Sequence, residues 1–307
     1  MRVMVIGATG AIGTPLVRQL HERGHEVIGT SRSPSKFEQL RALGAQPMAL
    51  DALDAAAVRA ALADTRPDAV IYEPTALSTL SDFKNFDRSF AMTNRLRTEG
   101  IDILLAAARE AGVRRIIAQS YGASRYERKG GSVKTEDDPL DTPPAAMRET
   151  FAALAYLDKA VTGAGGIALR YGGFYGAPND ALVAAVRAGK FPVVGGGAGI
   201  LSQIQVEDAA GATVLALGHE GPAIYNVVDD DPAPNRVWLP ELAKILGAKP
   251  PPHYPVLLAR VFAGEALVVM ATQSRGASNA KAKRELGWTL RYPSWRQGFA
   301  ASYARSA

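Results

Sequence analysis

The stretch Ile6-Gly7-Ala8-Thr9-Gly10-Ala11-Ile12-Gly13 constrains this chain more than any other. It follows the apolar run Val3-Met4-Val5-Ile6 and precedes a helical pattern over residues 15–23. A short apolar run that stops at glycine reads as a buried strand, and apolar residues at helical spacing read as an amphipathic helix. Glycines spaced by three between such elements serve a tight turn, a close approach of backbone to pyrophosphate, and close helix-on-strand packing. The amides and dipole at the helix start then face the phosphates. A glycine turn that binds nothing is the plainer alternative. The stretch points to a bound dinucleotide, with Gly7, Thr9, Gly10, Ala11, Ile12 and Gly13 as its phosphate loop.

The pattern repeats. Strand-like runs at residues 26–30, 46–50, 69–72, 115–119 and 166–170 alternate with helical stretches at 36–43, 55–63, 101–111 and 148–162. Strand, helix, strand in this order gives an α/β fold, a Rossmann-type doubly wound parallel sheet with helices on both faces. After residue 170 the chain turns glycine-rich, with Gly172, Gly173, Gly176 and Gly195-Gly196-Gly197, and later Pro250-Pro251-Pro252. The expectation is a dinucleotide domain over residues 1–170 and a smaller mixed substrate lobe over 171–307, with some later segments free to return to the sheet. Ligands in such sheets bind outside the carboxyl ends of the strands, so the crevice under the lobe is the expected site.

Composition narrows the chemistry. No cysteine is present, which excludes disulfides, thiolate metal sites and cysteine nucleophiles. The four histidines show no metal-ligand spacing, and Asp229-Asp230-Asp231 ahead of Pro232 reads as a solvated turn, so no metal is expected. The net charge of +5 is scattered, with its densest patch from Arg125 to Lys129. Nucleic-acid binding needs a concentrated basic face, and none is read here. The apolar segment 256–271 contains Arg260 and Glu265 and is too short to span a bilayer. With no leader read before Val3, the expected location is the cytoplasm.

The end of the second strand selects the cofactor. It reads Gly29-Thr30-Ser31-Arg32-Ser33, without the carboxylate that would accept from a ribose 2′-hydroxyl. Arg32 suits a 2′-phosphate, helped by Ser31 and Lys36. NADP(H) is therefore expected over NAD(H). Asp51, with Ala52 beside it, is placed to accept from the adenine amino group, or else to cap the next helix.

These residues, with several later blocks, resemble the short-chain dehydrogenase/reductase superfamily on its extended, NAD-dependent epimerase/dehydratase-like side. The blocks are Ile116-Ile117-Ala118-Gln119-Ser120, Arg170-Tyr171-Gly172-Gly173-Phe174-Tyr175-Gly176, Ile204-Gln205-Val206-Glu207-Asp208, Tyr225-Asn226-Val227 and Asn279-Ala280-Lys281. The resemblance covers nearly all of the chain. It implies a small-molecule substrate and often a homodimer. It also implies a serine, and a tyrosine and lysine four apart on one helix, whose ammonium favours the phenolate.

Ser120 falls at the serine position, and Tyr156 with Lys159 is the nearest pair, one residue out of register. Glu73 stands where the resemblance implies a stretch beside the cofactor ribose, as a functional acid near the nicotinamide or, the reading favoured, an exposed strand-end charge, and Gln119, Tyr171 and Gly172 join the cofactor set. Tyr121, Tyr175 and Gln203 are candidate substrate-pocket residues. Three functions follow: an NADP(H)-dependent oxidoreductase on a small carbonyl or hydroxyl compound, an epimerase or dehydratase with retained NAD(P), or an NADP-sensing regulator without turnover.

Overall fold

The computed structural model describes residues 1–77, 82–177 and 180–304. The chain opens β1 (Arg2–Ile6), α1 (Gly13–Glu22), β2 (Glu26–Ser31), α2 (Phe37–Ala42), β3 (Ala45–Ala49), α3 (Ala55–Thr65) and β4 (Ala69–Tyr72). Then α4 (Phe86–Arg95) runs into α5 (Ile101–Ala111) through one π-helical turn at Leu96–Gly100. Next come β5 (Arg115–Tyr121), β6 (Val133–Lys134), α6 (Arg148–Gly163), β7 (Ile167–Tyr171), β8 (Gly173–Tyr175) and α7 (Ala181–Arg187). They lead to β9 (Val193–Val194), β10 (Ile200–Leu201), β11 (Gln203–Gln205), α8 (Val206–Ala216) and β12 (Ala223–Val227). The chain ends with β13 (Ala233–Pro234), α9 (Asn235–Ile245), β14 (His253–Tyr254), α10 (Val256–Thr272), β15 (Gly276–Ala277), α11 (Ala280–Leu286) and α12 (Trp295–Tyr303).

Among the described residues, seven parallel strands form one sheet in the order β12-β7-β5-β4-β1-β2-β3. The strand order reverses at β1, between β2 on one side and β4 on the other. That is the topological switch point, where the open sheet leaves a crevice for a ligand. Val3, Val5, Ile71 and Ile117 face one side and pack with Leu16, Val17 and Leu20 of α1 and with α8. Met4, Val70 and Ala118 face the other and pack with α3, α5 and α6. Strands buried on both faces need apolar residues throughout rather than in alternation, as β1 and β4 have. Each fully buried leucine or isoleucine contributes roughly 1.5–3 kcal/mol.

The boundary at residue 170 does not divide the chain into two continuous pieces. β12 pairs with β7, Ala223 beside Ile167 through Val227 beside Tyr171. Residues of α8, β12 and α11 share the core of α1. The remaining C-terminal segments build a separate core around Trp238, Trp295, Phe299 and Tyr175. No helix among the described residues is long and apolar enough to cross a membrane.

Candidate active site at the sheet switch point

A cleft of about 300 Å³ opens between the ends of β1, β2 and β4. Gly7, Thr9, Gly10, Ser31, Arg32, Lys36, Asp51, Ala52 and Glu73 all line it. Gly7 has φ +92°, and a Cβ there would lie 2.8 Å from the Glu73 carbonyl carbon. A Cβ on Gly13 would lie 2.3 Å from the Gly7 carbonyl oxygen, so α1 starts tight against the turn. Gly10 differs: the nearest protein atom to an added Cβ is the Gly7 oxygen, at 3.3 Å. Apart from that one tight contact no protein atom among the described residues lies within 4 Å, and Gly10 is exposed on the cleft wall, where a phosphate can approach. No side chain caps α1 and no acid sits in its first turn, which leaves its positive end to an anion. Arg32 and Lys36 stand exposed at the rim. Asp51 accepts from Leu53 N at 3.0 Å, an Asx turn that fixes its carboxylate at the cleft. A dinucleotide fits this set of donors. Ala11 is exposed, whereas Ile12 packs into the core behind the loop.

Glu73 closes the inner wall, only 5% exposed. The Gln119 amide donates to its Oε2 at 2.8 Å once oriented nitrogen-inward. Tyr171 Oη lies 3.2 Å from its Oε1 and 2.6 Å from Thr213 Oγ1, and Thr213 donates to the Ala209 carbonyl at 2.8 Å. Tyr171 is the donor to Glu73 Oε1, and Thr213 is the donor to the Ala209 carbonyl. Burial pushes the Glu73 carboxyl up to about 8, against the lowering effect of the Tyr171 hydrogen bond.

The native state therefore holds this proton over a range where the unfolded chain has lost it. That contribution to stability is complete below the ordinary carboxylate range and disappears as pH rises towards 8. Glu73→Gln, a neutral mimic, should flatten the fall in stability over that window, worth roughly 3 kcal/mol at pH 7 as an upper bound. Wild type should lose dinucleotide affinity above pH 8, and the variant should not. Denaturant titrations and cofactor binding at pH 6 and 9 check both, and an unchanged pH profile in the variant removes the role given to Glu73.

The other residues expected at the site lie as follows. Tyr171 is fully buried behind Glu73 and supports it rather than meeting a cofactor. Gly172 is a packing glycine, since a Cβ there would lie 2.5 Å from the Ser202 oxygen. Tyr175 and Gln203 are buried in the lobe, Tyr175 edge-on to Phe299 with ring centroids 4.9 Å apart. Tyr121 is half-buried at the end of β5, its phenol pushed up to about 12 by burial and tempered by the Arg97 charge.

The proposed catalytic trio is not brought together. Ser120 is buried on the α6 side of β5 and donates to Asp158 Oδ1 at 2.5 Å. Tyr156 is 43% exposed on the outer face of α6, donating to Asp102 Oδ1 and Oδ2 at 2.7 and 2.8 Å. Lys159 is exposed as well. The inner face of α6 carries Thr150, Ala153, Leu154, Leu157, Asp158 and Val161 instead. Each residue turns the helix by about 100°, so Tyr156, two residues after Leu154, points away from the sheet.

Asp158, not singled out from the sequence, is the hub of a buried network. Its Oδ2 accepts from Arg125 Nη1 and Arg170 Nε, each at 3.0 Å. Arg170 Nη1 also reaches Tyr126 Oη at 3.1 Å, and Tyr126 donates to Asn226 Oδ1 at 2.6 Å. Arg125, which reads as part of a basic surface patch, is wholly buried. Nothing in its sequence neighbourhood signals this, because its partner is thirty-three residues away on another element.

A Rossmann sheet with an anion-ready cleft at its switch point defines a dinucleotide-dependent enzyme. The chain belongs to the NAD dependent epimerase/dehydratase family, whose model matches residues 3–227. It is an NAD(P)-dependent oxidoreductase of the extended type. A Streptomyces sp protein named 3-diazoavenalumate denitrifying reductase is 42% identical over 307 residues, covering 97% of this chain and 99% of that protein. A Stigmatella aurantiaca ketoreductase of a farnesyl dihydroquinoline oxide is 28% identical, covering 81% of this chain and 74% of its own. In fold, the chain is similar to the UDP-glucose 4-epimerase of Thermotoga maritima, with TM-score 0.76, 21% identity and 99% and 97% of the two chains covered.

Proposed function

We propose that this protein is an NADP(H)-dependent reductase of a diazo-bearing aromatic compound. The carrying observation is the inner face of α6, which offers Thr150 and Leu154 but neither tyrosine nor lysine. Carbonyl reduction asks for a proton at the substrate oxygen, and a positioned acid contributes about 10²–10⁴-fold to such steps. Reduction of an aryl diazonium does not. When bound, a nicotinamide would supply the hydride, two electrons in all, for a reduction in which dinitrogen leaves and an arene C–H takes its place, so that no acid on α6 is needed. The name of the Streptomyces relative, a denitrifying reductase of a diazo compound, supports this chemistry.

The chain's own residues hold the reactants. Gly7, Thr9 and Gly10 cradle the diphosphate, Arg32 with Ser31 and Lys36 takes the 2′-phosphate, and Asp51 meets the adenine. Neutral Glu73 keeps the inner wall free of negative charge. Ser120 is a positioning residue that orients Asp158.

Purified protein with NADPH and a diazonium of a hydroxyarene should oxidise one NADPH per dinitrogen released. Tyr156→Phe should retain activity within about twofold, against the 10²–10⁴-fold loss that follows removal of a general acid. A collapse in that variant, or turnover of ketones but not diazo compounds, sinks the proposal. Tight NADPH binding with no turnover of either class favours the sensing role.

The cofactor preference has its own test. Arg32→Ala should weaken NADPH binding by about 1–3 kcal/mol, the range for a hydrogen bond to a charged group, and leave NADH binding nearly unchanged. Equal losses for both dinucleotides, measured by calorimetry, contradict the assignment of Arg32.

A further inference from the structure

The carboxyl end of β5 holds more positive charge than its surroundings balance. Arg97, Arg125 and Arg170 are all buried, at 8%, 0% and 5% exposure. Among the described residues, Asp158 is the one carboxylate that bonds to any of them. Arg170 is well supplied, with Asp158, Tyr126 Oη and the face of the Tyr126 ring. Arg97 donates from Nη1 to Asn94 Oδ1 at 3.2 Å and lies over the Phe90 ring. Arg125 uses Nη1 alone, on Asp158, the Tyr121 carbonyl and Ser120. Its Nε and Nη2 are enclosed and have no partner among the described residues.

Those two orphans are not an arbitrary pair. Nε–H and Nη2–H point from the same edge of a guanidinium and run parallel. They are the fork that receives both oxygens of one carboxylate. A buried cation without a partner is heavily destabilising, and buried donors are normally satisfied. Burial, with the Arg125 charge beside it, pulls Arg97 down to about 10, still fully charged near neutrality. Arg97 comes from the π-helical turn between α4 and α5, a type of irregularity frequent at functional sites. Arg125 comes from the loop after β5, on the side of the sheet where ligands bind.

We propose that Arg97 and Arg125 form a binding site for a carboxylate of the substrate, Arg125 gripping it through Nε and Nη2 while the Arg97 charge adds to its attraction. This rests on the reductase reading above and narrows its substrates to aromatic acids. The carboxylate restores the missing negative charge and fixes the far end of the substrate while its diazo group meets the cofactor.

The test is calorimetry on NADP-loaded protein with cinnamate, its neutral isostere cinnamamide, and inorganic phosphate. Wild type should bind cinnamate at least about tenfold more tightly than the amide, as expected for charge-assisted bonds, and cinnamate should outcompete phosphate. Arg97→Met should erase the preference for acid over amide, and Arg97→Lys should keep part of it. Unchanged NADP affinity in these variants shows that the fold is intact. Arg125→Met should behave like Arg97→Met; should it fail to fold, Arg125→Lys, which keeps the charge but not the fork, takes its place and should lose the preference.

Equal binding of acid and amide by wild type overturns the proposal, as does an undiminished preference in Arg97→Met. Displacement of cinnamate by equimolar phosphate also overturns it, since the site would then hold any anion. Because no turnover is needed, a protein that selects cinnamate yet reduces no diazo compound keeps this site and loses the reductase reading.

Discussion

Gly10→Val should yield a folded protein that no longer binds NADPH at measurable affinity. A Cβ at Gly10 meets one protein atom closely, the Gly7 carbonyl oxygen at 3.3 Å, a tight contact that a shift of a few tenths of an ångström relieves. The valine instead fills the space that the diphosphate needs at the start of α1. Gly13→Val is the contrasting variant. Its Cβ would lie 2.3 Å from the Gly7 oxygen, so it should lower stability as well as binding. Thermal unfolding of both variants beside fluorescence titration with NADPH separates the two roles. Normal NADPH affinity in Gly10→Val shows that the loop is only a turn.

Asp158→Asn should destabilise the protein by about 3–5 kcal/mol, the cost of leaving buried charge uncompensated. The substitution keeps the shape of the side chain and removes only its charge. Arg125 and Arg170 both bond to Oδ2, and Ser120 donates to Oδ1. The amide can accept through its oxygen but presents donors to at least one of these partners. Urea unfolding measures the loss. A change below about 1 kcal/mol, the range of exposed ion pairs, would mean that Asp158 does not hold this network together. An aromatic carboxylate should restore part of the stability, because it adds negative charge beside Arg125, whereas chloride at the same concentration should not.

Much of the cofactor site was legible because it is local. Gly7, Gly10 and Gly13 lie within one turn, and Ser31, Arg32 and Lys36 follow one strand end. Strand-helix alternation alone then carries both to the same crevice, as does Asp51 at the end of β3. The doubly wound sheet was legible for the same reason, since buried strands and amphipathic helices each show in short windows.

The reaction site was not legible. Resemblance put a tyrosine and lysine on α6, and the residue types are present at Tyr156 and Lys159, but helical phase turns both outward. A phase error of one residue is invisible until the helix is docked on the sheet. The balance of buried charge is also a tertiary quantity. Arg97, Arg125, Asp158 and Arg170 come from four separate elements, and each alone looks like an ordinary surface residue. By itself, the sequence determined the sheet, its glycine turn and the residues that line the cleft at the switch point, because those depend on neighbours along the chain. Tertiary structure alone decided that β12 returns to the sheet, that Glu73 is buried, and that two guanidiniums share one carboxylate with donors left over. Those depend on which distant residues are excluded from water together.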